Sequence, residues 1–210
     1  TLAAAVDPVA DGFLPSLDAY SGEADVLIDF SHRSATRAVT EYAVSRRLPA
    51  VIATTGQSEE ELKMIAEAAK QVPIFRSANM SIGIAALLRM AKTVAALYPD
   101  ADIEIIEKHH NRKLDAPSGT ALMLAEGIRE VRRDASYLFG RGGQKKREKN
   151  EIGIHAVRMG NIIGEHEVIV GTDTETITLR HEAHSRSLFA EGAVAAAEFL
   201  LGRGAFLFLL

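Results

Sequence analysis

The first eighty residues alternate short apolar runs with helical stretches at a pitch that leaves few folds open. Asp25-Val26-Leu27-Ile28-Asp29-Phe30 is apolar on both faces, as a strand buried on both sides must be. Ser34 to Arg46 reads as a helix and Ala50 to Ala53 as the next strand. Ser58 precedes Glu59, Glu60 and Glu61, a helix start with its cap and with acids where the dipole favours them. Pro73 to Arg76 is another strand, and Leu2 to Val6 reads as one that ends at Asp7-Pro8. Strand, helix and strand in this rhythm predict an α/β fold with a Rossmann-like doubly wound parallel sheet. Ligands of such sheets sit at the carboxyl ends of the strands. Here those ends are Asp7, Phe30-Ser31, Ala53-Thr54-Thr55 and Ser77-Ala78-Asn79.

The pattern then changes. Ser81 to Leu97 reads as one long helix. Strands follow at Asp102 to His109, Ile152 to Met159, Glu165 to Val170 and Thr176 to Glu182, with a turn at Thr172-Asp173. One helix, Thr120 to Val131, is inserted among them, and Ser185 to Leu201 is a closing Ala-rich helix. The expectation is an α+β second domain with a mostly antiparallel sheet, residues 80–184. Residues 1–79 and 185–210 form the dinucleotide-binding domain, with a candidate hinge near Asn79.

Composition narrows the partners. A net charge of −4 offers no polyanion-binding surface, so nucleic acid is not expected. The absence of cysteine removes disulfides, thiol catalysis and thiolate metal sites, and suits a reducing, cytoplasmic setting. The N-terminus lacks the features of a signal peptide, and no apolar run approaches the roughly 20 residues of a membrane helix. The apolar tail Ala205 to Leu210 is expected to pack on its own protein or at a subunit contact. The basic, glycine-rich stretch Gly140 to Asn150 reads as a solvated loop, with a mobile flap for an anionic ligand as the alternative.

The chemistry concentrates in Glu107-Lys108-His109-His110-Asn111-Arg112-Lys113-Leu114-Asp115-Ala116-Pro117-Ser118-Gly119-Thr120-Ala121. Adjacent His109 and His110 point to opposite faces of a strand, a poor arrangement for chelation, so no metal is expected. His109 is better read as a group that exchanges a proton near neutral pH. Lys113 places an ammonium in the following loop, and the amides and hydroxyl of Gly119-Thr120 open a helix suited to a carboxylate. A proton donor, a cation and an anion pocket within one short segment suit a small dicarboxylate. A serine hydrolase is disfavoured, because Ser118 lies in no G-x-S-x-G elbow.

This segment resembles the signature of the dihydrodipicolinate reductases, E-x-H-H-x-x-K-x-D-A-P-S-G-T-A. Further stretches resemble the same family in the same order: DVLIDFS at 25–31, VIATTG at 51–56, ANMSIG at 78–83, Asp102 to Glu107, Ile152 to Arg158 with Gly164-Glu165-His166, and SRSLFAEGA at 185–193. The resemblance implies reduction of a cyclic dicarboxylate, 4-hydroxy-tetrahydrodipicolinate, by NADH or NADPH on the route to lysine and diaminopimelate. It makes His109 and Lys113 catalytic and assigns substrate contacts to His110, Gly119 and Thr120. The cofactor falls to Asp7, to Ala53, Thr54 and Thr55, where the family has Gly-Thr-Thr, and to Ser77, Ala78, Asn79 and Met80. An acidic Asp7 favours NADH, since it binds a ribose 2′-hydroxyl and repels a 2′-phosphate. The resemblance further implies a homotetramer and a leading strand with a G-x-x-G-x-x-G loop. Residues 1–210 carry no such loop, so weak NADH binding by these residues is expected. Two alternatives remain: a non-catalytic dicarboxylate-binding module, and a nicotinamide oxidoreductase for another substrate.

Overall fold

The computed structural model describes residues 1–209, which divide into two compact units, Thr1–Met80 with Ala190–Leu210, and Ser81–Phe189. In the first unit, strand β1 (Leu27–Asp29) leads through helix α1 (Thr36–Arg46) to β2 (Ala50–Ile52), and α2 (Glu59–Ala68) leads to β3 (Ile74–Arg76). All neighbours are parallel, in the order β1-β2-β3-β9, where β9 is Leu207–Leu209. All three residues of β2 are buried, as a strand covered on both faces requires. Ala43, Ala50, Ile52, Ile65, Ala68 and Ile74 form the core. Ser58 caps α2 as expected: its hydroxyl accepts from the Glu61 N–H, and the Glu61 carboxylate accepts from the Ser58 N–H at 2.6 Å.

One expectation changes in this unit. Leu2 to Val6 forms no strand; Val6 makes a single bridge to Leu14, and Leu2 is exposed. Its three central residues are alanines, which offer little to bury against a neighbour. The tail packs on its own protein, the first of its two expected settings. Strand β9 pairs with β3, and the Phe208 ring packs edge-on against Phe199 at 5.1 Å. Leu210, the last residue of that tail, lies outside the described residues.

The second unit is a five-stranded sheet covered by two helices, α3 (Ile82–Leu97) and α4 (Gly119–Val131). Its strands are β4 (Asp102–His109), β5 (Ser136–Phe139), β6 (Glu151–Arg158), β7 (Glu165–Gly171) and β8 (Thr176–Glu182), in the order β5-β6-β4-β7-β8. The pairs β4–β7 and β7–β8 are antiparallel, whereas β5–β6 and β6–β4 are parallel. Strand β5, only four residues long, has too few residues to show a period in the sequence. Helix α5 (Ser187–Leu200) closes the chain before β9.

Alternation positions the site. Ile103, Ile105, Glu107 and His109 share the buried face of β4, and His166, Val168 and Val170 share that of β7. The isoleucines and valines join Leu87, Leu124 and Ile128 in one core. Glu107 and His166 are direct cross-strand partners, and His109 stands opposite Arg158 of β6. The apolar layer therefore gives way, at one end of the sheet, to a layer of ionisable groups.

The 140–150 loop is fastened down. Arg141 pairs with Glu104 and Glu151 at 2.9 Å each, and Arg147 reaches Asp102 and Glu104. Its arginines are engaged by the sheet's own carboxylates, which favours the solvated-loop reading over the flap.

Candidate active site

Glu107 is fully buried and its carboxylate takes hydrogen bonds from three elements. Oε2 accepts from His109 Nδ1 at 2.6 Å and from Arg158 at 2.7 Å; Oε1 accepts from Arg158 at 2.6 Å and from the Ser118 N–H at 2.9 Å. Burial would raise the Glu107 pKa, but these donors outweigh it and bring the carboxyl down to about 2. The carboxylate thus ties the end of β4 to β6 and to the start of α4.

Ser118 is the N-cap of α4, its hydroxyl accepting from the Ala121 N–H at 3.2 Å. The same oxygen lies 3.1 Å from His166 Nε2. Burial, and then the neighbouring His109, push His166 down to about 3, so it is neutral. Its ring stacks edge-on against His109 with centroids 5.2 Å apart. His109, largely buried, is thus held between a carboxylate and a neutral imidazole.

The expected substrate residues gather around this cluster within the second unit. His110, immediately after β4, is pushed down by burial and by the charges of Arg112, Arg186, His109 and Lys113. Lys113 Nζ pairs with Asp115 Oδ1 at 2.7 Å. Burial would raise the Asp115 carboxyl, but Lys113 and backbone N–H groups, including that of Gly119, hold it below its usual range. Gly119 and Thr120 form the first turn of α4, and a Cβ on Gly119 would meet nothing within 4 Å. The cation and helix start proposed for a substrate carboxylate are therefore both engaged with Asp115.

The expected cofactor residues lie in the first unit. Ala53, Thr54 and Thr55 leave the carboxyl end of β2, and Ser77 to Met80 that of the adjacent β3. The Ser77 hydroxyl donates to the Asn79 carbonyl at 2.6 Å and accepts from the Asn79 N–H at 3.1 Å, fixing that turn. The Thr54 hydroxyl is buried without a partner among the described residues. Gln57 bridges the Thr54 carbonyl at 2.8 Å and Arg76 at 3.2 Å. Asp7 is exposed, one carboxylate oxygen accepting from the Val9 and Ala10 N–H groups at 2.9 and 3.1 Å.

Glu107, Arg158 and His166 lie in stretches that resemble the family, yet the sequence reading gives none of them a role in the site. The signal for Glu107 was there: it continues the period-two face of Ile103 and Ile105, where a carboxylate is costly. Arg158 and His166 sit on other strands, and only the pairing registers bring them in.

Comparison with known proteins gives the family. Residues 8–80 match the family described as "Dihydrodipicolinate reductase, N-terminus" and residues 83–209 that described as "Dihydrodipicolinate reductase, C-terminus". The chain is 54% identical over 183 residues to a 4-hydroxy-tetrahydrodipicolinate reductase of Caldanaerobacter subterraneus subsp. tengcongensis, covering 86% of this chain and 73% of that protein. It is 50% identical over 185 residues to the reductase of that name from Clostridium tetani, covering 87% and 72%. Among solved structures, the dipicolinate-bound dihydrodipicolinate reductase from Paenisporosarcina sp. TG-14 superposes with a TM-score of 0.73 at 29% identity, covering 88% of this chain and 71% of that one. With both halves matched and half the residues shared with such relatives, the chain belongs to the dihydrodipicolinate reductase family.

Proposed function

We propose that the chain reduces 4-hydroxy-tetrahydrodipicolinate to tetrahydrodipicolinate with a hydride from NAD(P)H and a proton, the 4-hydroxyl leaving as water, in the synthesis of lysine and diaminopimelate. The observation that carries this reading is the clustering, within residues 107–120, of a carboxylate-bound histidine, an ammonium and a helix start beneath one sheet end. Relatives at about half identity carry the reductase name, and a solved relative is described as dipicolinate-bound.

In this reading Gly119 and Thr120 take one substrate carboxylate at the α4 N-terminus, where the helix dipole favours negative charge. Lys113 exchanges Asp115 for the substrate and supplies a proton, His110 contacts the ring, and His109 exchanges a proton with it. The dinucleotide, when bound, supplies the hydride. Thr54, with its unpartnered buried hydroxyl, and the fixed turn at Ser77 to Met80 suit a polar ligand at the carboxyl ends of parallel strands. Ala53, Thr55 and Asp7 complete that set, and Asp7 favours NADH over NADPH. The same reading includes a homotetramer joined through the second unit's sheets and a cytoplasmic site of action. No described helix is long and apolar enough to cross a membrane.

The test follows NADH absorbance while the substrate is generated in a coupled reaction. With NADH raised to saturation, the protein is expected to turn over, with His109→Gln and Lys113→Ala each lowering kcat by about 100-fold or more. Dipicolinate binding without turnover would overturn the reading in favour of a non-catalytic module. Comparing kcat/KM for NADPH and NADH in Asp7→Asn tests the cofactor preference, and light scattering tests the tetramer.

A further inference from the structure

We infer that Glu107 is a positioning residue that fixes the His109 proton on Nδ1 and so leaves Nε2 as the atom that exchanges a proton with substrate. The inference rests on the proposed role of His109 and adds which atom acts and what determines it.

The reasoning starts from saturation. A carboxylate has about four lone-pair sites, and an ionised one only accepts. Glu107 receives four hydrogen bonds, two of them from the Arg158 guanidinium and one from a backbone amide that cannot change its polarity. The fourth, from His109 Nδ1 at 2.6 Å, is the only one whose direction depends on a movable proton. With Glu107 ionised by its other three donors, Nδ1 must carry hydrogen in both states of the ring. In the neutral ring, Nε2 then holds the lone pair. In the imidazolium, Nε2–H is the proton given up, and the ring returns to its neutral Nδ1–H form while Glu107 remains ionised throughout.

The surroundings keep Nε2 in play. A Cβ on Gly164 would lie 3.1 Å from Nε2 and 3.5 Å from Cδ2, so glycine leaves that edge of the ring uncrowded. The titratable and charged groups of this cluster are Glu107, Arg158, His166, His110, and Lys113 with its partner Asp115. Of the two carboxylates, Glu107 is the one bonded to the His109 ring, and Asp115 is bonded to Lys113. His166 is neutral and bonded to Ser118, so it does not compete as the proton carrier. Without a negative neighbour, neither nitrogen of His109 would be singled out.

Glu107→Gln separates this from a structural role. A carboxamide must turn its NH₂ toward one of the two donor sets. Facing Ser118 N–H and Arg158 leaves two donors opposed to it; facing His109 leaves only Arg158, because the imidazole can move its proton to Nε2. The variant is therefore expected to invert the tautomer. Nitrogen-15 spectra of the histidine rings, with His109→Gln identifying the resonance, should show Nδ1–H in the neutral wild-type ring and Nε2–H in Glu107→Gln. With that inversion kcat should fall by about 100-fold or more while KM for the dicarboxylate stays within about threefold. The double variant Glu107→Gln/His109→Gln should lose no more than His109→Gln alone. A wild-type ring protonated on Nε2 overturns the inference without any variant having to fold. So does a Glu107→Gln enzyme of near-normal kcat, or one that loses activity with Nδ1–H retained. If His109→Gln itself keeps full activity, the proposed role of His109 fails, and the nitrogen-15 result still reports on the tautomer.

Discussion

Replacing Arg158 by methionine removes two of the four hydrogen bonds to a carboxylate that has no access to water. The cost follows from the pKa. Glu107 is held at about 2 against an ordinary value of 4.5. At about 1.4 kcal/mol per unit, this corresponds to about 3 kcal/mol of stability near neutral pH. Stripping one partner from a buried ion pair costs about 3–5 kcal/mol, and the partly exposed Arg158 places this variant at the lower end. The pH dependence is the sharper test. A depressed carboxyl contributes fully above its unfolded pKa and loses that contribution as pH falls toward the folded one. The wild type should therefore lose about 2 kcal/mol through Glu107 between about pH 6 and about pH 3. In Arg158→Met, burial is opposed only by His109 and Ser118, the Glu107 pKa rises, and this slope flattens. Urea unfolding by circular dichroism across that range, for both proteins, gives the difference. The other depressed carboxyls, such as Glu61, Glu104 and Glu165, are common to both and cancel. Wild type and variant losing stability in parallel on acidification would refute the reasoning.

Three further outcomes are expected. Asp115→Asn releases Lys113 and the α4 N-terminus from their internal carboxylate; because Asp115 is more than half exposed, the gain is under about 1 kcal/mol. Calorimetry should then show dipicolinate binding two- to fivefold tighter, by about that energy; weaker binding would show that Asp115 supports the site rather than occupying it. Gly164→Ala crowds the Nε2 edge of His109 and should lower kcat by about tenfold or more at nearly unchanged melting temperature. Ser58→Ala dissolves the capping box of α2 and should cost about 1 kcal/mol in chemical denaturation without altering kcat.

Local patterns were legible in the sequence, and what depended on register was not. The alternation of Asp102 to His109 fixed β4 to the residue, and Ser58 with its three glutamates fixed the start of α2. The 107–121 signature pointed to His109, Lys113 and the α4 start. It did not reveal that Lys113 faces Asp115, since two residues in a loop carry no period. Arg158 and His166 lie some fifty residues from their partners, and only the β4–β6 and β4–β7 pairings place them beside Glu107. The N-terminal strand failed on local grounds: Leu2 to Val6 is apolar but centred on three alanines, and it makes only one bridge.

The pairing of β3 with β9 bears on how the chain is made. Ile74 meets Leu207 across the sheet, with the whole second unit between them in sequence. The first unit's sheet therefore cannot be completed until the last described residues have left the ribosome. The second unit, Ser81–Phe189, is continuous and has a core of its own, so nothing downstream is needed for it to close. Synthesis from the N-terminus would thus present a folded second unit while β3 still waits, one edge open, for β9. During that interval the Glu107–His109 cluster is already assembled, whereas the first unit is the portion most in need of protection from premature association.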